Sequence, residues 1–135
     1  GAHAPTNVAW GYENRTAAIR IPGGDHRARR IEHRVAGADA NPYLVLTSIL
    51  GGALLGIEQD MQPVAPITGD AYTMKLDNLP LDWATAIDAF RKGPDVPGLF
   101  SARLQTMMVE CKTQELRKFA RQVTHFEYDT YLEIV

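Results

Sequence analysis

Cysteine is nearly absent from this chain. Its one thiol, Cys111, excludes an internal disulfide and any zinc site built on paired cysteines. A reducing compartment is the simplest reading. Lysine is missing from the first half, since none precedes Lys75. Long apolar runs are missing too. The most hydrophobic stretch, Tyr43 to Ile57, falls short of the roughly 20 residues a membrane-spanning helix needs, and Gly51, Gly52 and Gly56 interrupt it. No leader-like pattern opens the sequence, and neither an internal repeat nor a low-complexity segment follows. A soluble, cytoplasmic protein with no membrane partner is expected. What remains is the composition of an ordinary globular domain: 135 residues, 45% hydrophobic and 22% charged.

The formal net charge of −2 conceals an uneven distribution. Residues 1–34 hold six arginines against three acids, while residues 35–101 hold three basic residues against eight acids. All six early cations are arginines. Arginine without lysine suits planar, two-point recognition of anions better than plain solubility.

Along the chain, residues 5–35 read as strands. Asn7 to Tyr12 and Thr16 to Ile21 are β-compatible, Pro22-Gly23-Gly24-Asp25 is a strong turn signal, and Arg29 to Val35 reads as a returning strand. Side-chain alternation puts Ile19 and Ile21 on one face with Arg20 on the other. In the returning arm Arg30, Glu32 and Arg34 share a face opposite Ile31 and Val35. With the isoleucines turned to a core, one hairpin displays Arg20, Arg30, Glu32 and Arg34 together.

From Asn41 the period changes. Asn41 is a good N-cap and Pro42 suits the first helical turn. Tyr43 to Ile57 is apolar nearly all round, as in a buried helix, and Gly51-Gly52 suggests close helix packing. Residues 59–80, with Pro63, Pro66, Gly69 and Pro80, read as a long ordered loop. Asp82 caps a helix over Trp83 to Lys92 that Gly93-Pro94 stops. A second loop with Pro97 and Gly98 leads to a long helix, about Ser101 to Val123, whose apolar stripe includes Met107, Met108 and Cys111. Thr124-His125-Phe126-Glu127 matches a capping box for a last short helix. The fold class expected is α+β: a small antiparallel β region over about residues 7–35, then three to four helices. Residues 1–40 form the strand part and residues 41–135 the helical part.

The arginine-rich hairpin face carries most of the chemistry. Three arginines around one carboxylate crowd positive charge unless an anion balances it, and a phosphate-bearing ligand would do so. The lone carboxylate could hold the divalent cation that accompanies phosphates, and Arg15 could add a further group. Other residues suggest less. His26 and His33 make no metal pattern, Cys111 is expected to pack in a core, and His125 is a cap-region residue. Nucleic-acid binding is not expected, because the arginines are not interleaved with exposed aromatics and the chain as a whole is acidic.

Four runs carry a resemblance: Ala4-Pro5-Thr6-Asn7-Val8-Ala9-Trp10-Gly11; Asn14-Arg15-Thr16-Ala17-Ala18-Ile19-Arg20-Ile21-Pro22; Arg29-Arg30-Ile31-Glu32-His33-Arg34; and Asn41-Pro42-Tyr43-Leu44. Together they resemble the glutamine synthetase family, most of all the branch containing γ-glutamylpolyamine synthetases. The strong resemblance covers residues 4–57. It implies roles by matching position. Arg15 and Arg20 match arginines that contact ATP phosphates and the transferring phosphoryl group, and Arg30 matches an ATP-side arginine. Glu32 matches a ligand of the phosphate-side magnesium or manganese ion. Arg34 matches an arginine associated with the substrate carboxylate and phosphoryl group.

The implied reaction joins glutamate to ammonia or a primary amine through γ-glutamyl phosphate, at the expense of ATP. The resemblance also implies a homo-oligomer for the full-length protein. The family's E-x-E metal motif, its histidine metal ligand and its flap glutamate belong upstream of the matched region. Gly1 is therefore expected to lie within a longer protein, and the isolated chain is expected to be inactive. A non-catalytic regulatory or assembly module that keeps the ligase fold is the alternative. Tyr72 sits near a modifiable tyrosine of some family members, but its flanking residues differ and modification is not expected.

Overall fold

The computed structural model describes residues 4–134. It divides into two compact units, Gly1–Leu81 and Asp82–Val135. The division therefore falls after Leu81, and the first long helix and the loop that follows it belong with the strands.

The first unit holds β1 (Trp10–Tyr12), β2 (Ile19–Ile21), β3 (Glu32–His33), α1 (Pro42–Glu58) and a single 3-10 turn, Ala71–Thr73. Strand order is β1-β2-β3. β2 and β3 form the expected antiparallel hairpin, with Ile19 opposite His33 and Arg20 opposite Glu32. The expected antiparallel pairing of β1 with β2 is corrected, because these two strands run parallel, Trp10 beside Ile19 and Tyr12 beside Ile21. Parallel neighbours ordinarily need a crossover of about a dozen residues or more. Here the link is only residues 13–18, and side chains pin it from outside. Asn14 donates to the Gly69 carbonyl at 2.8 Å, and the Thr16 hydroxyl accepts from the Ala71 amide at 2.9 Å.

The long loop is ordered because it pairs with the N-terminal segment. Val8 donates to Asp77, Leu79 to Thr6 and Ile67 to Trp10 at 2.7–3.0 Å. Small residues let these backbones meet. Ala9, Ala17, Ala18 and Ala71 are buried, and a Cβ on Gly11 would lie 2.7 Å from the Ile67 carbonyl oxygen. Asn7 is buried among them and donates to the Ala71 carbonyl at 2.8 Å.

The core of this unit is thus alanine and glycine under a loop, and the isoleucine face expected to form it does not. Ile31 is 61% exposed. Helix α1 begins as expected, with the Asn41 carboxamide accepting from the Tyr43 and Leu44 amides at 3.0 and 3.3 Å. It is not the buried helix its composition predicted. None of its residues is buried, Tyr43 is 80% exposed, and a Cβ on Gly52 would meet nothing. An all-round apolar helix needs cover on every side, and the described residues of this unit cover it only in part, leaving Leu44, Val45, Ile49 and Leu55 half-buried.

The second unit holds α2 (Trp83–Lys92), α3 (Val96–Phe100), α4 (Ala102–Phe119) and α5 (His125–Tyr131). The expected caps are in place. Asp82 accepts from the Thr85 amide at 2.8 Å, Ser101 from Leu104 at 3.3 Å, and Thr124 and Glu127 form a reciprocal capping box. Helix α3 was expected as loop, but Pro97 fits its first turn and Phe100 packs inward, 5.7 Å from Phe90 between ring centroids. Gln105 closes the end of α2 by donating to the Phe90 and Arg91 carbonyls at 2.9 and 3.1 Å.

The buried line of α4 centres on Val109. Cys111 lies about 200° around the helix from Val109 at 100° per residue. It is exposed, and the core role expected for it is corrected. Among the described residues no helix is long and apolar enough to cross a membrane.

Candidate active site

The pairing of β2 with β3 sets Arg20 directly opposite Glu32. In antiparallel strands opposed side chains stand close on one face, so the two charges meet without a long search through rotamers. Arg20 Nη1 donates to Glu32 Oε2 at 2.7 Å. Its other terminal nitrogen, Nη2, donates to Glu13 Oε2 at 2.8 Å. The side chain is only 14% exposed, and its Nε is buried with no hydrogen-bond partner. The guanidinium pKa is raised above its already high ordinary value, first by the hydrogen bond to Glu13 and also by that to Glu32. Arg20 is a fixed cation.

Arg34 completes the group from the end of the hairpin. Its Nε lies 3.9 Å from Glu32 Oε1, and its Nη1 donates to the Ala17 carbonyl at 3.1 Å and to the Arg15 carbonyl. Two arginines therefore flank one carboxylate. The Arg15 side chain is exposed, and its positive field reaches Glu13.

Arg30 stands apart. The expected strand shrinks to Glu32–His33, so alternation does not govern residue 30. Its Nη1 donates to the Ala28 carbonyl at 3.1 Å. With Arg29 it borders a cavity of about 590 Å³ whose walls include Trp10, Tyr12, Gly23 and Gly24. The hairpin thus brings together Arg20, Glu32 and Arg34, with Arg15 joined through its backbone, and leaves Arg30 on the loop.

Glu13 is the participant that sequence reading missed. It lies between strands, where no alternation rule applies, and its contact with Arg20 follows from the parallel return of β2 beside β1. Its carboxyl is held below the ordinary glutamate range, first by the Gly23 amide and then by Arg20.

A metal ion fits this group only in part. Glu32 offers one carboxylate, already shared by two arginines, and no three His, Cys, Asp or Glu side chains converge among the described residues. A complete divalent-cation centre needs ligands beyond these. An anion fits better, given the unpaired Arg20 Nε and the exposed guanidinium groups of Arg15 and Arg30.

The family model for the glutamine synthetase catalytic domain matches residues 1–131. This chain belongs to the glutamine synthetase family. It is 35% identical over 133 residues to the γ-glutamylputrescine synthetase PuuA of Escherichia coli (strain K12), covering 98% of this chain and 28% of that protein. It is 33% identical over 140 residues to the glutamine synthetase of Thermus thermophilus, covering 98% of this chain and 31% of that protein. Among solved structures, the GmaS/ADP complex superposes with a TM-score of 0.84 at 29% identity, covering 96% of this chain and 30% of that one. The chain thus spans about three-tenths of the length of the relatives it matches. The α+β fold expected from the element pattern and the kinship with glutamine synthetases and γ-glutamylamine synthetases expected from four short runs both hold.

Proposed function

We propose that this chain forms part of an ATP-dependent carboxylate–amine ligase and supplies its phosphoryl-side arginines. In that reaction the γ-carboxylate of glutamate attacks the terminal phosphorus of ATP. The bond to the bridging oxygen breaks, ADP departs, and γ-glutamyl phosphate forms. The nitrogen of ammonia or a primary amine then adds to the acyl carbon, inorganic phosphate leaves, and the nitrogen loses a proton. Negative charge shifts among phosphoryl oxygens in both steps, so fixed cations aimed at those oxygens are the protein's main contribution.

The Arg20–Glu32–Arg34 group on paired strands carries this reading. Arg20 and Arg34 would hold the transferring group, Arg15 and Arg20 the ATP phosphates, and Arg30 the nucleotide from its loop. Glu32 would be this chain's ligand to magnesium or manganese, which supplies charge neutralisation on the phosphates when bound. The names of the relatives support glutamate with a nitrogen nucleophile as substrates; one is a glutamate–isopropylamine ligase of Pseudomonas sp, 32% identical over 132 residues. A homo-oligomer working in a reducing cytoplasm accords with the family and with a single exposed thiol.

Steady-state kinetics in the full-length ligase carrying this segment test the assignment. Phosphate release should require glutamate and an amine together. Arg20→Lys keeps the charge but loses the planar fork, and turnover should fall on the order of a hundredfold with little change in KM for ATP. Unchanged turnover in a well-folded variant removes Arg20 from the mechanism. The isolated 135-residue chain should show no such activity, since among the described residues Glu32 stands without the further ligands a metal centre needs.

A further inference from the structure

Glu13 divides its two carboxylate oxygens between different parts of the first unit. Oε2 accepts from Arg20 Nη2 at 2.8 Å, and Oε1 accepts from the Gly23 backbone amide. Gly23 begins the loop that leads through Arg29 and Arg30 to β3, and it lines the same cavity as those two arginines. The contact is close: a Cβ on Gly23 would stand 3.3 Å from Glu13 Oε1. Glu13 itself sits at φ 51°, a left-handed conformation that residues with side chains rarely adopt and that persists where surrounding contacts enforce it.

The geometry points to Glu13 as a positioning residue for phosphoryl transfer, one that holds the Arg20 guanidinium and the arginine-bearing loop in a fixed relation. The inference rests on the ligase reading for its catalytic consequence. Without Glu13, Arg20 keeps only Glu32 as a carboxylate partner and is free to turn about that single bond, while Gly23 loses the acceptor that ties its loop to the strand. Misplacing a catalytic group by as little as about 1 Å can cost much of a rate enhancement, although the displaced side chain remains nearby. An exposed ion pair with no such duty would contribute almost nothing measurable.

Glu13→Gln in the full-length ligase is the informative change. The amide matches the carboxylate in size, but its NH2 end cannot accept, so one of the two links must break. Turnover should fall about tenfold, with KM for glutamate little changed. In an Arg20→Lys background the same substitution should cost almost nothing further, because residues acting through one group are not additive. Hydrogen exchange across residues 22–31 should quicken in Glu13→Gln, a readout independent of activity.

Wild-type kinetics in Glu13→Gln, or a loss that adds fully to that of Arg20→Lys, overturns the inference. So does unchanged exchange in the loop. If both Glu13→Gln and Glu13→Asp fail to fold, Glu13 is a stability element and the inference is likewise overturned. A wild-type ligase that releases no phosphate with glutamate and amine counts against the ligase reading; the exchange comparison then still decides whether Glu13 holds the loop.

Discussion

In the first unit, side chains reach far along the chain to find backbone partners: Asn7 to Ala71 across 64 residues, Trp10 to Val64 across 54, and Asn14 to Gly69 across 55. In the second, the side-chain bonds that define the helices span three residues, at Asp82–Thr85, Ser101–Leu104 and Thr124–Glu127. The first arrangement builds irregular backbone into a rigid support, which regular elements alone would not do when the strands are two or three residues long. The second sets where helices start, and the helices are joined by apolar contacts such as Phe90–Phe100 and by Gln105 at the end of α2. The charged site lies in the unit with the long-range ties, where Glu13 joins the Gly23 amide to Arg20.

The largest effect should come from the site itself. In the full-length protein, Glu32→Ala leaves Arg20 and Arg34 facing each other without their shared carboxylate, and on the proposed ligase function activity should drop at least about a hundredfold. His33→Ala, one residue along and turned to the opposite face, should be mild. Equal losses in two folded variants would break the face assignment.

A smaller effect separates the two units. Asn7→Ala removes a buried donor and strands the Ala71 carbonyl, costing about 1–3 kcal/mol. Denaturant unfolding of the full-length protein measures it, and a loss near zero would show that the long-range ties do not support the first unit.

The smallest is local. Thr124→Ala should cost about 1 kcal/mol at most and fray only α5. The Glu127 carboxyl, held below the ordinary glutamate range by the Thr124 amide and hydroxyl, should move back toward it. An NMR titration of Glu127 reads that shift. Its contribution is present above the ordinary glutamate range and is lost as pH falls through the lowered value, so Thr124→Ala should bring that loss to higher pH.

Local chemistry was the legible part of this sequence. Asn41, Asp82 and Thr124 each announce a helix start through a side chain that needs only its next few neighbours, and all three caps formed. The Arg20–Glu32 pairing was legible too, because alternation on a hairpin is local arithmetic. The parallel partner of β2 was not, since nothing in residues 7–21 distinguishes a hairpin from a six-residue return. Burial of α1 was misjudged for a related reason. Composition reports what a helix can tolerate around it, and the neighbours it has depend on the rest of the chain. Arg30 failed where alternation was extended past the end of a two-residue strand.

The short link between the parallel strands has a consequence for how this stretch can vary among relatives. Residues 13–18 carry Asn14, Thr16 and two buried alanines, each engaged at a fixed place. An added or deleted residue there would shift β2 against β1 by one position and move Arg20 from its place beside Gly11 and its bond to Glu13. Surface loops usually absorb changes in length. This one has no slack, so divergence between Trp10 and Ile21 should proceed by exchange of side chains at constant length, and a gap in that interval would mark a protein in which the counterpart of Arg20 is arranged differently.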